Sequence, residues 1–261
     1  MTGGTAGCGG RVGLFLNLYL GHLLGDYAFQ PGRLVVAKRA GLMGLSAHIG
    51  LIGLSTALVL WRELLAYWWI VVLVMGAHFV IEKLTIAARL GTDSRGLYIF
   101  VLDQVLHILS VALLVWLTGQ WNVEPKAVTF GLELETTQLA AICGALTAML
   151  LGSIFAFEAG EAYASDDPDS LAILRLDSPR LYGMAERGLA FAAAILLTPT
   201  GAGGWASLAA MLVPFLPRIA YASTRPTKVR ARQLAEAGAG LTLTAATYAA
   251  WLAIRLLVTV S

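Results

Sequence analysis

The chain has 261 residues, of which 58% are hydrophobic and only 13% are charged, and its mean hydropathy is +0.74. Soluble domains carry about a quarter charged residues, so this composition excludes an ordinary soluble protein. The net charge of +2 is too small to indicate a nucleic-acid partner, and the two cysteines lie far apart without metal-ligand spacing.

The chain after residue 11 consists mainly of apolar runs of about 18 residues or more, each long enough to cross ~30 Å of hydrocarbon as a helix. Membrane barrel strands alternate polar and apolar residues in ~10-residue segments, which these runs do not do. The pattern therefore predicts an all-α fold, a polytopic transmembrane bundle of about eight helices. We place the helices, in chain order, at 12–30, 42–61, 66–86, 96–118, 138–158, 186–200, 204–222 and 236–258.

Prolines leave an alternative for the sixth and seventh helices. The sixth is short and ends at Pro199, and the seventh carries Pro214 and Pro217. The two segments could instead form one re-entrant hairpin covered by protein, which leaves six crossings. We divide the chain into a flexible N-terminal tail (1–11), a four-helix membrane unit that holds every histidine (12–121) and a second helical membrane unit (122–261).

Lysine and arginine positions predict the orientation of the helices. Of the 18 lysines and arginines, 14 fall in the odd-numbered connections, which the positive-inside rule places in the cytoplasm, with both termini on the other side. The longest connection, 159–185, is one of these and combines an acidic cluster with an apolar patch at 171–176. We expect a solvated loop with one short surface helix there, or alternatively a segment that gates the protein or docks a partner protein.

Ionisable side chains recur within the first four predicted helices. They are His22 and Asp26 on the first, His48 on the second, His78 and Glu82 on the third, and Asp103 and His107 on the fourth. Each histidine–carboxylate pair is spaced i, i+4, so both members share one helix face. At 1.5 Å per residue, every one lies ~7–18 Å from the same membrane face, that of the odd-numbered connections. We expect them to meet in one chamber near the cytoplasmic leaflet.

Ionisable groups inside a bilayer are costly, and three explanations compete for a set of this size. The first is a metal site, since neutral imidazole and carboxylate bind Zn²⁺ and also suit Fe and Mn. The second is a structural network that ties the helices together. The third is a proton or ion relay through a transporter.

The metal explanation assigns a role to each polar residue. The candidate ligands are His22, Asp26, His48, His78, Asp103 and His107, which exceed one tetrahedral site and leave room for a second ion, an open water position or a base. The candidate catalytic carboxylates are Asp26, Glu82 and Asp103. Gln30 and Gln104 flank the carboxylates, where they could bind substrate or orient ligands.

These residues resemble the motifs of a bacterial multi-pass membrane family of unknown function, domain of unknown function 3307. Its members show H-x-x-x-D-F-x-x-Q, a lone histidine, H-x-x-x-D followed by a basic residue, and D-Q-x-x-H. The first and last motifs match at His22 to Gln30 and at Asp103 to His107, while Glu82 stands in place of the usual aspartate. The resemblance is strong over 14–118. It implies a bacterial inner membrane location and carries no established activity.

Three functional hypotheses follow. The first is a metal-dependent intramembrane hydrolase, in which a divalent ion, Zn²⁺ foremost, lowers the pKa of bound water and the substrate is a lipid or lipid-linked molecule. The second is a transporter of metal ions or protons, against which the apolar far halves of the first four helices count. The third is a non-enzymatic membrane subunit or assembly factor with a structural polar network. Membrane lipids are the expected partners in each case.

Overall fold

The structure is a computed structural model, and it describes residues 11–89, 96–119, 122–164, 178–198 and 205–260. The α-helices within these ranges are α1 (Arg11–Leu23), α2 (Gly32–Ala40), α3 (Leu42–Val59), α4 (Leu64–Arg89), α5 (Gly96–Leu117), α6 (Thr136–Leu146), α7 (Gly152–Ala164), α8 (Ser178–Leu196), α9 (Trp205–Leu212), α10 (Leu216–Ser223) and α11 (Thr227–Val260). Most of the predicted tail and the centre of the predicted partner-docking connection, 165–177, lie outside the described residues.

Two π-helical turns and one 3-10 turn join some of these helices. The π-helical turn Leu24–Ala28 extends α1, and a second, Thr147–Leu151, joins α6 to α7. The 3-10 turn Val213–Phe215 joins α9 to α10 and contains Pro214, which cannot donate a backbone hydrogen bond. The predicted seventh helix therefore forms one continuous helical segment that changes from α-helix to a 3-10 turn at its first proline, Pro214.

Six helical segments in the described part of the chain are long and apolar enough to cross a membrane. They are α3, α4, α5, Thr136–Ala162, Trp205–Ser223 and α11. The all-α prediction is confirmed, and a helix occupies each of the eight predicted places. The first and sixth predicted spans fall outside the set of six, because α1 has 13 residues before its π-helical turn and α8 carries the charged residues Arg180, Glu186 and Arg187.

A small β-hairpin lies in the connection between the fourth and fifth predicted helices, where no strand was predicted. Strand β1 (Lys126–Thr129) pairs antiparallel with β2 (Leu132–Glu135). The two residues between them, Phe130 and Gly131, both have positive φ, as the short turns of hairpins require. Asn17 of α1 donates to the Val128 carbonyl oxygen (2.7 Å), so the hairpin packs on the first helix.

The chain divides into two compact units. The first comprises Met1–Leu84, Asp103–Cys143 and Ala253–Ser261, and the second comprises Thr85–Leu102 and Gly144–Leu252. The boundary predicted at residue 121 stays a prediction. The core of the first unit is an apolar cluster from four helices and their ends: Leu14, Leu18, Ile52, Leu60, Ile70, Val71, Val74, Val111, Leu114 and Val115. All of these residues lie on the hairpin side of the histidines in their helices.

Glycines bring α1 and α3 into direct backbone contact. A Cβ atom added to Gly21 would lie 2.7 Å from the Cα atom of Thr56, and one added to Gly25 would lie 3.0 Å from the Cα atom of Ile52. Small residues four apart permit this close approach between membrane helices. Because the two helices approach so closely, Asp26, the residue after Gly25, lies 3.4 Å from His48 of α3.

Candidate metal centre

Four buried side chains of the first unit converge on one point. One ligand atom each from Asp26, His48, His78 and Glu82 lies within 4.8 Å of the others. His48 is central, because its Nε2 atom lies 3.1 Å from His78 Nε2 and 3.4 Å from both Asp26 Oδ1 and Glu82 Oε1. We call these four residues the four-ligand group.

The distances within the four-ligand group match the size of a small divalent ion. A tetrahedral ion with ligands at ~2.0–2.2 Å separates those ligands by about 3.3–3.6 Å. The distances from His48 Nε2 are 3.1 to 3.4 Å, and His78 Nε2 lies 3.9 Å from Glu82 Oε1. The remaining separations lie within 4.8 Å, so an ion held by two imidazoles and two carboxylates would draw the more distant ligand atoms inward by about an ångström.

Three helical elements hold the four-ligand group. Asp26 lies in the π-helical turn that extends α1, a type of turn that recurs at functional sites because it redirects side chains. His48 lies one to two turns inside α3. His78 and Glu82 share one face of α4 at i, i+4.

His22 and His107, whose rings are stacked on each other, extend the two imidazoles of the group to a contiguous run of four, in which the other neighbouring rings are tilted. The ring centroids of His22 and His107 are 4.9 Å apart, and those of His78 and His107 are 4.1 Å apart. His107 Nδ1 lies 2.8 Å from the carbonyl oxygen of Asp103, to which it can donate as the tautomer whose Nε2 carries a lone pair. The buried Nε2 atoms of His22 and His107 have no hydrogen-bond partner among the described residues.

The predicted ligand Asp103 lies beside this stack and outside the four-ligand group. Its Oδ1 atom is 3.7 Å from His107 Nδ1, and its Oδ2 atom accepts a hydrogen bond from Gln104 Nε2 (2.8 Å). The Oε1 atom of Gln104 is buried and has no hydrogen-bond partner within the described ranges. Asp103, with Gln104 hydrogen-bonded to it, thus lies on the Nδ1 side of His107.

Gln30 lies against His48, with 3.0 Å between Gln30 Nε2 and His48 Nδ1. The oxygen and nitrogen of a glutamine amide exchange places by a half-turn, so Gln30 can offer His48 either a donor or an acceptor. With the oxygen turned toward His48, Nδ1 carries the proton and the lone pair on Nε2 faces the carboxylates. A metal-binding imidazole needs this tautomer.

Lys38 is a site residue that sequence reasoning used only for orientation. Its Nζ atom lies 2.5 Å from Glu82 Oε1 and 3.9 Å from Asp26 Oδ1. Lys38 reaches the site because α2 folds back onto α3, where a Cβ on Gly44 would collide with the carbonyl group of Ala37. Only this tertiary packing distinguishes Lys38 from the neighbouring basic residues of the same connection.

Tyr27 was also missed by the sequence interpretation. Its hydroxyl group is buried without a hydrogen-bond partner in the described part of the chain. Its ring meets the ring of His22 edge-on, with the centroids 6.3 Å apart. The sequence feature that could have identified Tyr27 is its position directly after Asp26, in the same π-helical turn.

The comparisons with known proteins identify one family. Residues 14–132 match the family described as "Protein of unknown function (DUF3307)", and this segment contains all eleven site residues named above. Neither a curated protein nor a solved structure matches the chain. The resemblance predicted from the four motifs is confirmed: residues 14–132, a little under half of the chain, match the DUF3307 family.

Proposed function

We propose that the four-ligand group binds a divalent metal ion. The observation that carries this proposal is the convergence of two imidazoles and two carboxylates within 4.8 Å. Two nitrogen and two oxygen ligands suit Zn²⁺, and Fe or Mn are the alternatives. With neutral imidazoles, Asp26 and Glu82 contribute two negative charges and Lys38 one positive charge, so the site keeps one net negative charge to attract a cation.

We further propose that the centre hydrolyses an ester or phosphoester bond. A bound divalent ion lowers the pKa of a coordinated water toward neutrality. His107 is the proposed proton acceptor, since its buried Nε2 atom has no hydrogen-bond partner among the described residues and its ring centroid lies 4.1 Å from that of His78, while its Nδ1 atom lies beside the main chain and side chain of Asp103. In that scheme the water oxygen bonds to the carbonyl carbon or phosphorus, the ester bond to the leaving alcohol breaks, and His107 returns the proton to the alcohol.

The proposed substrate is a lipid or lipid-linked molecule. The group lies within α3, α4 and the extended α1, and α3 and α4 are long and apolar enough to cross a membrane. A site at this depth meets amphiphilic molecules of the bilayer before any water-soluble one. The α2 side of the cluster, where Lys38 is located, is the proposed side of substrate entry.

The packing of the first unit favours hydrolysis over transport. A transporter needs a polar path from the four-ligand group to the opposite ends of the same helices. Ten buried apolar side chains pack in that half of α1, α3, α4 and α5, and the buried polar residues there, Asn17, Ser55 and Thr56, are hydrogen-bonded to main-chain oxygens. Within the described residues, the Nε2 atoms of His22 and His107 have no hydrogen bond, although His22 Nε2 lies 3.9 Å from Asp26 Oδ2. Buried polar groups in a purely structural network are normally hydrogen-bonded, so this also argues against such a network.

Metal-dependent hydrolysis is tested with purified protein and a panel of acyl-ester and phosphoester lipids in mixed micelles. We expect Zn²⁺-loaded wild-type protein to hydrolyse at least one lipid class, and chelation to abolish the activity. His107→Gln should keep the metal and lose activity by roughly 100-fold or more, the contribution of a general base. Hydrolysis that persists after complete metal removal, or its absence across the panel, would contradict the proposed reaction.

A further inference from the structure

Two imidazoles of the first unit lie beside the four-ligand group without belonging to it. Within the described residues, the buried Nε2 atoms of His22 and His107 have no hydrogen bond, and each residue exposes only 2% of its surface. Their rings are stacked on each other, with 4.9 Å between the centroids. Buried imidazole nitrogens are normally hydrogen-bonded or metal-bound, so two neighbouring unpaired ones indicate a missing ligand.

The main chain determines which nitrogen of His107 is available to that ligand. His107 Nδ1 lies 2.8 Å from the carbonyl oxygen of Asp103, which can only accept, so Nδ1 carries the proton and Nε2 carries the lone pair. The carboxylate of Asp103 lies on the same side, 3.7 Å from Nδ1. Metal-bound histidines usually donate their other ring nitrogen to a carbonyl or carboxylate oxygen. His107 therefore has the tautomer of a metal ligand.

Asp26 presents its two carboxylate oxygens to different imidazoles. Its Oδ1 atom lies 3.4 Å from His48 Nε2 of the four-ligand group, whereas its Oδ2 atom lies 3.9 Å from His22 Nε2. The second separation is close to the ~3.3–3.6 Å between two ligands of a tetrahedral ion. One carboxylate can therefore give one oxygen to an ion in the four-ligand group and the other oxygen to a second ion.

We propose that His22 Nε2, His107 Nε2 and Asp26 Oδ2 form a second divalent-cation site beside the four-ligand group. The proposal rests on the proposed function, because Asp26 would then bridge two ions, an arrangement typical of two-metal sites. Two imidazoles and one carboxylate again suit Zn²⁺. Three protein ligands leave the fourth tetrahedral position to water.

The second ion binds more weakly than the first. Asp26, Glu82 and Asp103 carry three negative charges and Lys38 carries one positive charge, so the metal-free cluster has two net negative charges when its imidazoles are neutral. The first divalent ion offsets both of them. The second ion has fewer protein ligands and no net charge to attract it, so it binds only when zinc is in excess.

Occupation of the second site inhibits the proposed hydrolysis. The second ion takes the lone pair of His107 Nε2, which the hydrolysis scheme uses to accept the proton of the metal-bound water. An imidazole nitrogen that is bound to metal cannot accept a proton. Activity should therefore rise with the first equivalent of Zn²⁺ and fall by roughly tenfold or more as the second site fills.

The test is a Zn²⁺ titration of the metal-free full chain in detergent, measured by calorimetry, with native mass spectrometry to count the bound ions. The variants are His22→Gln and His107→Gln, which keep a polar side chain and remove one imidazole of the second site. The control is Tyr19→Phe. The Tyr19 ring also lies against His22, with 6.4 Å between the centroids, but it is not part of the proposed site.

We expect two ions per chain in wild-type and Tyr19→Phe protein, the second with at least roughly tenfold lower affinity, and one ion per chain in both histidine variants. A single ion in wild-type protein at saturating zinc would overturn the second site and leave the four-ligand group standing, whereas no ion at all would contradict both proposals. Two ions in a folded histidine variant would also overturn the second site. If His22→Gln does not fold, His107→Gln decides. Wild-type activity that stays constant while the second ion binds would overturn the inhibition.

Discussion

At the scale of single residues, His48 connects the candidate centre. It is fully buried, and its Nε2 atom contacts His78 and both carboxylates while its Nδ1 atom meets Gln30. Asp26 belongs to the π-helical turn that extends α1, and His78 and Glu82 both belong to α4, so this one imidazole joins α1, α3 and α4. A change at His48 should therefore remove the centre more completely than a change at any other ligand.

Lys38 reduces the net negative charge of the same site. Its ammonium group lies closest to Glu82, and it is also within 4 Å of Asp26. Partly buried charges at this distance interact by several kcal/mol at most, about 4 kcal/mol for an effective dielectric constant of 20. Lys38 thus stabilises the two carboxylates in the metal-free protein, and it competes with a cation for the same oxygens.

Replacing Lys38 with methionine should tighten metal binding. The variant keeps an apolar stem of similar length and raises the negative charge of the site by one, so we expect Zn²⁺ affinity to rise by roughly tenfold or more. A competition titration against a chromophoric chelator measures the change. Lys83→Met is the control, because Lys83 is exposed although it directly follows Glu82. Equal or weaker binding in the Lys38 variant would show that the ammonium group does not compete for the carboxylates.

At the scale of elements, the close contact of α1 and α3 determines where Asp26 lies. Gly21 and Gly25 permit backbone contact with Thr56 and Ile52, and the π-helical turn begins between these glycines at Leu24. A regular helix through this stretch would turn Asp26 by a different angle, because a π-helical turn inserts one extra residue. The close contact of the two helices and the π-helical turn together place the Asp26 carboxylate beside His48.

A methyl group at Gly21 should separate α1 from α3. In Gly21→Ala the added Cβ atom would lie 2.7 Å from the Cα atom of Thr56, and backbone cannot yield as a flexible side chain can. We expect a loss of about 1–3 kcal/mol in stability, the usual cost of overpacking, together with weaker metal binding. Thermal melting in detergent measures the first effect, and Zn²⁺ titration measures the second.

Gly50→Ala is the matched control for this variant. Gly50 lies on α3, and a Cβ atom there would meet nothing within 4 Å. The control should melt at or slightly above the wild-type temperature, because alanine favours the helix. If both variants melted alike and bound metal alike, the close approach at Gly21 would not position the centre.

At the scale of the whole molecule, hydropathy predicted most of the helices. Apolar runs identify α3, α4, α5 and α11 because a membrane helix buries polar backbone along an uninterrupted apolar segment. The hairpin Lys126–Glu135 was missed, since the stretch between the helices predicted at 96–118 and 138–158 was treated only as a connection and the alternation of Leu132 to Glu135 was not used. The orientation of the helices stays a prediction.

The candidate site was predictable in part. Spacing of i, i+4 and equal depth identified the histidines and carboxylates, and three of the four helices that carry them contribute to the four-ligand group. Spacing does not determine rotation about each helix axis, so it could not separate His48 and His78, the proposed ligands of the four-ligand group, from the stacked His22 and His107. It also could not find Lys38, whose approach depends on the packing of α2 against α3.

The central claim, that Asp26, His48, His78 and Glu82 hold a metal ion, is tested most directly by elemental analysis of protein purified in detergent without a chelator. We predict about one divalent ion per wild-type chain, and the same for Ser46→Ala, which changes an exposed residue two positions before His48. His48→Ala should hold less than about a tenth of that amount at unchanged helix content. Wild-type protein that retains no ion after zinc is added and the excess removed, or His48→Ala protein that retains its ion, would contradict the claim.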